Sequence, residues 1–225
     1  AGNNIVGGSV SSGLIDPADP LNPLGFGNVT LTATAGSIDG VDIFALNDAG
    51  ALNVVMLTAG QNINGGSIEA FSNVELRNTL GDVSGIELNV GGDLTIGDGT
   101  DTVNVNGITA TVGGDATITN SGTFNGNSIQ AVDDTIVSSG GDVTGGSINS
   151  GSVTVASTGG SIFDFGAAAV GGLVTGNASL TASVDINGAD VSAVENVTFL
   201  AGSNIIGGSV SAGTIDPADP LVPTS

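Results

Sequence analysis

Residues 1–23 of this chain return almost unchanged 200 residues later, so whatever the first segment builds must be built again near the other end. The two copies are AGNNIVGGSVSSGLIDPADPLNP (1–23) and AGSNIIGGSVSAGTIDPADPLVP (201–223). They differ at five of 23 positions: Asn3/Ser203, Val6/Ile206, Ser12/Ala212, Leu14/Thr214 and Asn22/Val222. Such a chain reads as one 200-residue period of a longer array plus an overlap, in which 1–23 and 201–223 are equivalent positions.

A shorter period lies inside the long one. The pattern apolar-x-Gly-x-x-apolar recurs as IVGGSV (5–10), IDGVDI (38–43), INGGSI (63–68), VSGIEL (83–88) and VNGITA (105–110). It continues as FNGNSI (124–129), VTGGSI (143–148), INGADV (186–191) and IIGGSV (205–210), with a degraded copy IFDFGA (162–167) that has Asp164 in place of Gly. Successive copies are 33, 25, 20, 22, 19, 19, 19, 24 and 19 residues apart, nine short units per 200 residues. Units of this length point to a solenoid, in which each unit buries its apolar face on the next.

The residues between the motifs say which solenoid. Alternating segments such as NVTLTA (28–33), NVELRN (73–78), GDATIT (114–119), SVTVAS (152–157) and NASLTA (177–182) place apolar side chains on one face and polar ones on the other. Val, Ile and Thr favour strands, while Gly, Asn and Asp favour the corners between them. No segment carries an i, i+3, i+4, i+7 apolar stripe long enough for a helix. The expectation is an all-β parallel β-helix (β-solenoid) of about nine rungs per 200-residue repeat, advancing roughly 43 Å at about 4.8 Å per rung. Rungs of variable length, 19 to 33 residues, fit a right-handed coil with loop insertions better than a strict left-handed prism. Phe supplies all seven aromatic residues, as suits a narrow aliphatic core.

Residues 1–225 therefore form a single solenoid segment, with Pro-rich insertions at 15–27 and 215–225. All six prolines lie there, in IDPADPLNP (15–23) and IDPADPLVP (215–223). Proline cannot donate to a ladder, so these stretches are expected to leave the coil as stiff loops, either decorating the fibre or covering one flank of the core.

Charge narrows the partners. The chain has 22 acids against one base, Arg77, for a net charge of −21, and no His or Cys. Phosphate binding rests on Lys and Arg, so nucleic acid and anionic membrane surfaces are expected not to be partners. Thiol chemistry and disulfides are excluded. There is no run of 18 apolar residues to span a bilayer. No leader pattern is visible, and Ala1 opens in mid-pattern, so any targeting signal is expected elsewhere.

The long repeat, the Gly/Asn/Asp/Thr-rich strands and the scarcity of bases together resemble large bacterial tandem-repeat surface proteins. The likeness is to β-helices of the filamentous-haemagglutinin and autotransporter-passenger type. It is carried by NVTLTATAGSIDG (28–40), LTAGQNINGGSI (57–68), VGGDLTI (90–96) and VGGDATI (112–118), and extends over essentially the whole chain. The resemblance implies a secreted, elongated, cell-surface structure; it carries no diagnostic catalytic motif, and the residues themselves lead to the expectation that the chain is not an enzyme.

Three chemistries compete with a structural role. A hydrolase would have to use paired carboxylates, because a Ser nucleophile lacks a His partner. The adjacent acids are Asp133 and Asp134, which on a strand would face opposite ways. Glycan platforms use Trp or Tyr, and the chain has neither. Calcium is the second: GDGTDTVNV (97–105) matches one copy of a Gly-x-Gly-x-Asp-x-apolar repeat, making Asp98 and Asp101 candidate ligands. Asp16 and Asp19, with Asp216 and Asp219, could collect the ion between neighbouring Pro-rich loops. The plainer reading is that all six are corner or loop acids in water. Ice binding is the third, from Thr30, Thr32 and Thr34 on one strand and Thr117 and Thr119 on another. Glu75, Ser179 and Asn73 at positions read as equivalent break that array.

The preferred reading concerns the ends. A β-helix cut from an array exposes unpaired backbone groups, which invites edge pairing unless a cap covers them. No cap is apparent, so units are expected to stack head to tail into an open filament, the partner being the same chain as a covalent next repeat or as a separate subunit. A fibrous adhesin binding surface glycans through its loops is the alternative.

Overall fold

The computed structural model describes residues 2–12, 27–45, 54–98, 102–170, 176–216 and 219–224, with 214–216 and 219–224 described as backbone alone. Every element of regular structure among them is a β-strand. Three parallel sheets run the length of a β-solenoid, two of ten strands and one of nine, and the chain visits them in strict rotation.

Each Gly motif is one corner of this coil. Its first two residues form a short strand of the first sheet, as in Ile63–Asn64, and its last two begin a four-residue strand of the second, as in Ser67–Ala70. The alternating segments form the third sheet, as in Asn73–Asn78. Pairing follows the spacing read from the sequence: Ile5 lies against Ile38, Ile38 against Ile63, and the register continues unbroken to Ile186 against Ile205. Nine such steps link the ten motif copies, so unequal rung lengths are absorbed between strands and never within them.

The corner between the first and second sheets explains the glycine. The third motif residue is left-handed in all ten copies, from Gly7 at φ 62° to Gly207 at φ 65°. A Cβ costs roughly 1–2 kcal/mol in this region. At Gly145 the added Cβ would meet open space, so the demand is on φ alone. Asp164, in the degraded copy, takes the same conformation at φ 48°, as a short polar side chain can.

Inward side chains stack in columns. Ile38, Ile63, Val83, Val105, Phe124, Val143, Ile162 and Ile186 form the first-sheet column, every member fully buried. Phe124 meets Phe165 edge to face at 6.5 Å and 64°. Two of the phenylalanines, Phe44 and Phe71, are exposed, so the core is more aliphatic than the Phe count implies.

Three local expectations change. The Pro-rich segment 13–26 lies outside the described residues, but its second copy pairs with itself as an antiparallel ribbon, Thr214–Asp216 with Asp219–Thr224. A two-stranded ribbon is all edge, so it accommodates Pro220 and Pro223 where a central strand could not. Asp133 and Asp134 sit in a bend before the strand Thr135–Ser139, not within a strand. Asn73 opposes Val54 and is out of line with the threonines, whereas Glu75 and Ser179 do fall in the column of Thr30, Thr95 and Thr117.

Candidate functional site at the open end

A second polar column runs up the outside of the core. The residue immediately before each motif is Asn, Asp, Ser or Thr in all ten copies. Asn4 Oδ1 accepts the Ser37 N–H at 3.0 Å, and Ser37 Oγ accepts that of Asn62. Asn62 then accepts from Asp82, Asp82 from Asn104, and Asn104 from Thr123. The ladder resumes at Asp142, which accepts from Ser161, and closes through Ser161 and Asp185 to Asn204. A parallel ladder before the third sheet passes from Asn73 through Asp93 and Asp115 to the N–H of Asp134. Many acids that composition alone assigns to water are thus acceptors for the turn above, each satisfying a corner N–H that strand pairing leaves over.

These ladders and columns stop at the C-terminal face. Ile186 is fully buried and Ile205, next in its column, is 52% exposed; Val191 is 3% exposed and Val210, next in its own, 57%. The outermost strands are Val197–Ala201, Ile205–Ile206 and Ser209–Ala212, one from each sheet. Their inward-facing positions are apolar, whereas several turns below place Asn78, Asn120, Ser139 or Ser157 at an inward third-sheet position. The residues from 201 onwards are also those that repeat the opening of the chain. The face is therefore an apolar end bounded by three strand edges, with Asn204 at the head of the polar ladder.

Of the six metal candidates, Asp98, Asp216 and Asp219 lie among the described residues, the last two as backbone only. Asp98 is described, and its carboxylate lies 4.0 Å from the Arg77 guanidinium, whose Nε is bonded to Glu75. Asp101, Asp16 and Asp19 lie outside the described residues. Asp216 and Asp219 oppose one another in the terminal ribbon, described as backbone only. Among the described residues no three acidic side chains converge in a way that could hold an ion. Asp133 and Asp134 occupy a corner where the Asp134 N–H is committed to Asp115. Asp134 Oδ1 is buried without a hydrogen-bond partner. Among the described residues that line a depression beside Ala169, Val170, Ala193 and Ser211, none has a titratable side chain. A second one holds Asp42 and Glu69, but Asp42 Oδ1 already accepts from the Ser67 N–H and O–H. No helix among the described residues is long and apolar enough to cross a membrane.

No protein-family model matches the chain, and no curated protein or solved structure is significantly similar to it. What the molecule offers is therefore its own geometry. The polar ladder was open to detection in the sequence, since ten consecutive motif copies share a small polar residue at one offset. The open face was not, because burial is decided by the turn above.

Proposed function

We propose that this chain is a structural building block of an extracellular, cell-surface filament or fibrous adhesin, whose solenoid units run head to tail through open β-helix ends. The observation that carries this reading is the apolar end face at Val197–Ala212, which coincides with the point where the sequence begins to repeat itself. A patch of inward-type side chains left in water marks an interaction site, and three parallel strand edges select a partner of the same cross-section. Such a contact joins unlike ends, so it propagates without closing.

Composition supports the setting. A lone Arg77, paired with Thr58 within the strand Asn73–Asn78 and engaged by Glu75, leaves trypsin-like proteases a single target that is tied into a sheet. The resemblance to bacterial tandem-repeat surface β-helices supports an extracellular location and a mechanical role. Electron micrographs of the native assembly test this: filaments with an axial repeat of roughly 43 Å, nine turns at about 4.8 Å, are the expected result. Isolated, unassociated particles at the cell surface or in the cytoplasm would contradict it.

A second reading, adhesion through loops, is favoured by one observation. Three of the insertions that lengthen rungs, 13–26, 46–53 and 171–175, all fall between a second-sheet strand and the following third-sheet strand. The strand ends that flank them lie along one edge of the solenoid, the arrangement from which a repeat scaffold presents binding loops. Replacing them with short turns abolishes glycan or cell binding on this reading and leaves filament formation intact.

A further inference from the structure

Asn64–Gly65, Asn106–Gly107, Asn125–Gly126 and Asn187–Gly188 are the Asn–Gly pairs of the chain, and all of them occupy the second and third places of the Gly motif. Each Asn ends a two-residue strand of the first sheet, and each Gly takes the left-handed corner, at φ 60°, 61°, 63° and 68°. We propose that these four corners are sites of a covalent modification, conversion of the Asn amide to an acid, which the wound coil blocks and which an opened turn undergoes irreversibly.

The reaction needs nothing but water. The backbone nitrogen of the Gly bonds to the Asn Cγ, the Cγ–Nδ2 bond breaks, and the amide leaves as ammonia, taking up the Gly N–H proton through solvent. Water then opens the cyclic imide at either carbonyl, giving Asp or an isoaspartate whose main chain runs through the former side chain. Glycine favours the attack because no Cβ crowds its nitrogen.

The coil ties up the attacking atom. Gly65 and Gly107 N–H donate to the carbonyls of Ser84 and Asn125 at 2.8 and 2.9 Å, and Gly126 and Gly188 N–H to those of Thr144 and Ile206, both at 2.9 Å. The extended Asn backbone also turns that nitrogen away from its own side chain. Ring closure demands rotation about the Asn ψ, which pulls the corner off the next turn. Asn64 is held further: its Nδ2 donates to Asp39 Oδ1 at 2.8 Å and its Oδ1 accepts from Ser84 Oγ at 2.7 Å. Asn125 lies exposed, so at that corner the strand pairing of Asn125 and Gly126 is the barrier. Freeing a Gly nitrogen is therefore a local opening with its own free energy.

The product closes the way back. Isoaspartate lengthens the main chain by a carbon inside the motif, whereas the ten copies keep the motif at constant length and place all length variation elsewhere. At position 64 an acid would also set a carboxylate against Asp39, where an amide now donates. A turn that has cyclised and opened to isoaspartate cannot rewind in register, so each conversion records one opening.

The test incubates the chain 1–225 at mildly alkaline pH, native and unfolded in urea, and follows each site by peptic digestion and mass spectrometry, with isoaspartate separated by chromatography. All four sites should convert in urea, and each should convert at least about tenfold more slowly in the native chain. Native conversion within about threefold of the unfolded rate at any of the four overturns the inference. Phe124→Ala loosens the turn that carries Asn125, and should speed native conversion there more than at Asn64, several turns away. Should that variant not fold, raising urea stepwise below the wild-type midpoint gives the same readout, with conversion rising as turns open. An Asn125 rate that neither the variant nor sub-denaturing urea moves would show that turn opening does not control the reaction, and the inference fails.

Discussion

Ile186 and Ile205 occupy the same column of the same sheet, one turn apart, and one is sealed while the other is half in water. Nothing in their local sequence separates INGADV from IIGGSV in kind. The difference is the presence of a turn above. In a compact domain a residue's burial reflects the whole fold, whereas in this solenoid it depends on one neighbour at each side. The energetic content of each side chain is therefore set by its position along the axis, and the interior and the open end should answer mutation differently.

The largest expected effect is at the aromatic pair. Phe124→Ala in the sealed interior should cost about 3–5 kcal/mol, seen as a large fall in the urea midpoint, because Phe165 loses its partner and the column cannot collapse. Little or no change would mean that neighbouring turns close the cavity. Asn127 comes next: fully buried, it accepts the Ile108 N–H and donates to the Val105 carbonyl at 2.9 Å. Asn127→Leu should cost about 1–3 kcal/mol by leaving both groups unpaired. At the corners, Asp164→Gly should raise stability by up to about 1 kcal/mol, while Gly145→Ala should lower it by about 1–2 kcal/mol, the two changes differing in sign at equivalent positions. At the open end, Ile205→Ala and Val210→Ala should shift stability by less than about 0.5 kcal/mol in 1–225, against about 2–5 kcal/mol for Ile148→Ala in the interior. Equal costs at the two places would show that the end is already covered. The smallest effect is expected for Arg77→Gln, within about 0.5 kcal/mol, since its ion pairs are solvent-exposed.

Much of this architecture could be read in advance. The motif spacings place every first-sheet pairing, from Ile5 with Ile38 to Ile186 with Ile205, because a parallel coil admits length variation only between its strands. Asp164 could be recognised as a corner residue from its place in the pattern, and it adopts the glycine conformation. Other features were less legible. Asp82, Asp93, Asp115 and Asp185 look like solvated acids in a list of charges, yet each accepts a backbone N–H from the following turn. Asp133 and Asp134 read as strand neighbours, and their corner placement follows from where the third-sheet strand begins. The Pro-rich copy at 215–223 reads as a loop and pairs as a ribbon, since an isolated hairpin has edges on which proline loses nothing.

By itself the sequence determines the period, the rotation through strand and corner, and which side chains face inward, since alternation and φ preference act within a few residues. Only the tertiary structure decides that there are three sheets and that the acids form ladders. Those facts depend on which residues, some 20 apart in the chain, come to lie one above another. Contact across turns is what converts a repeated pattern into burial.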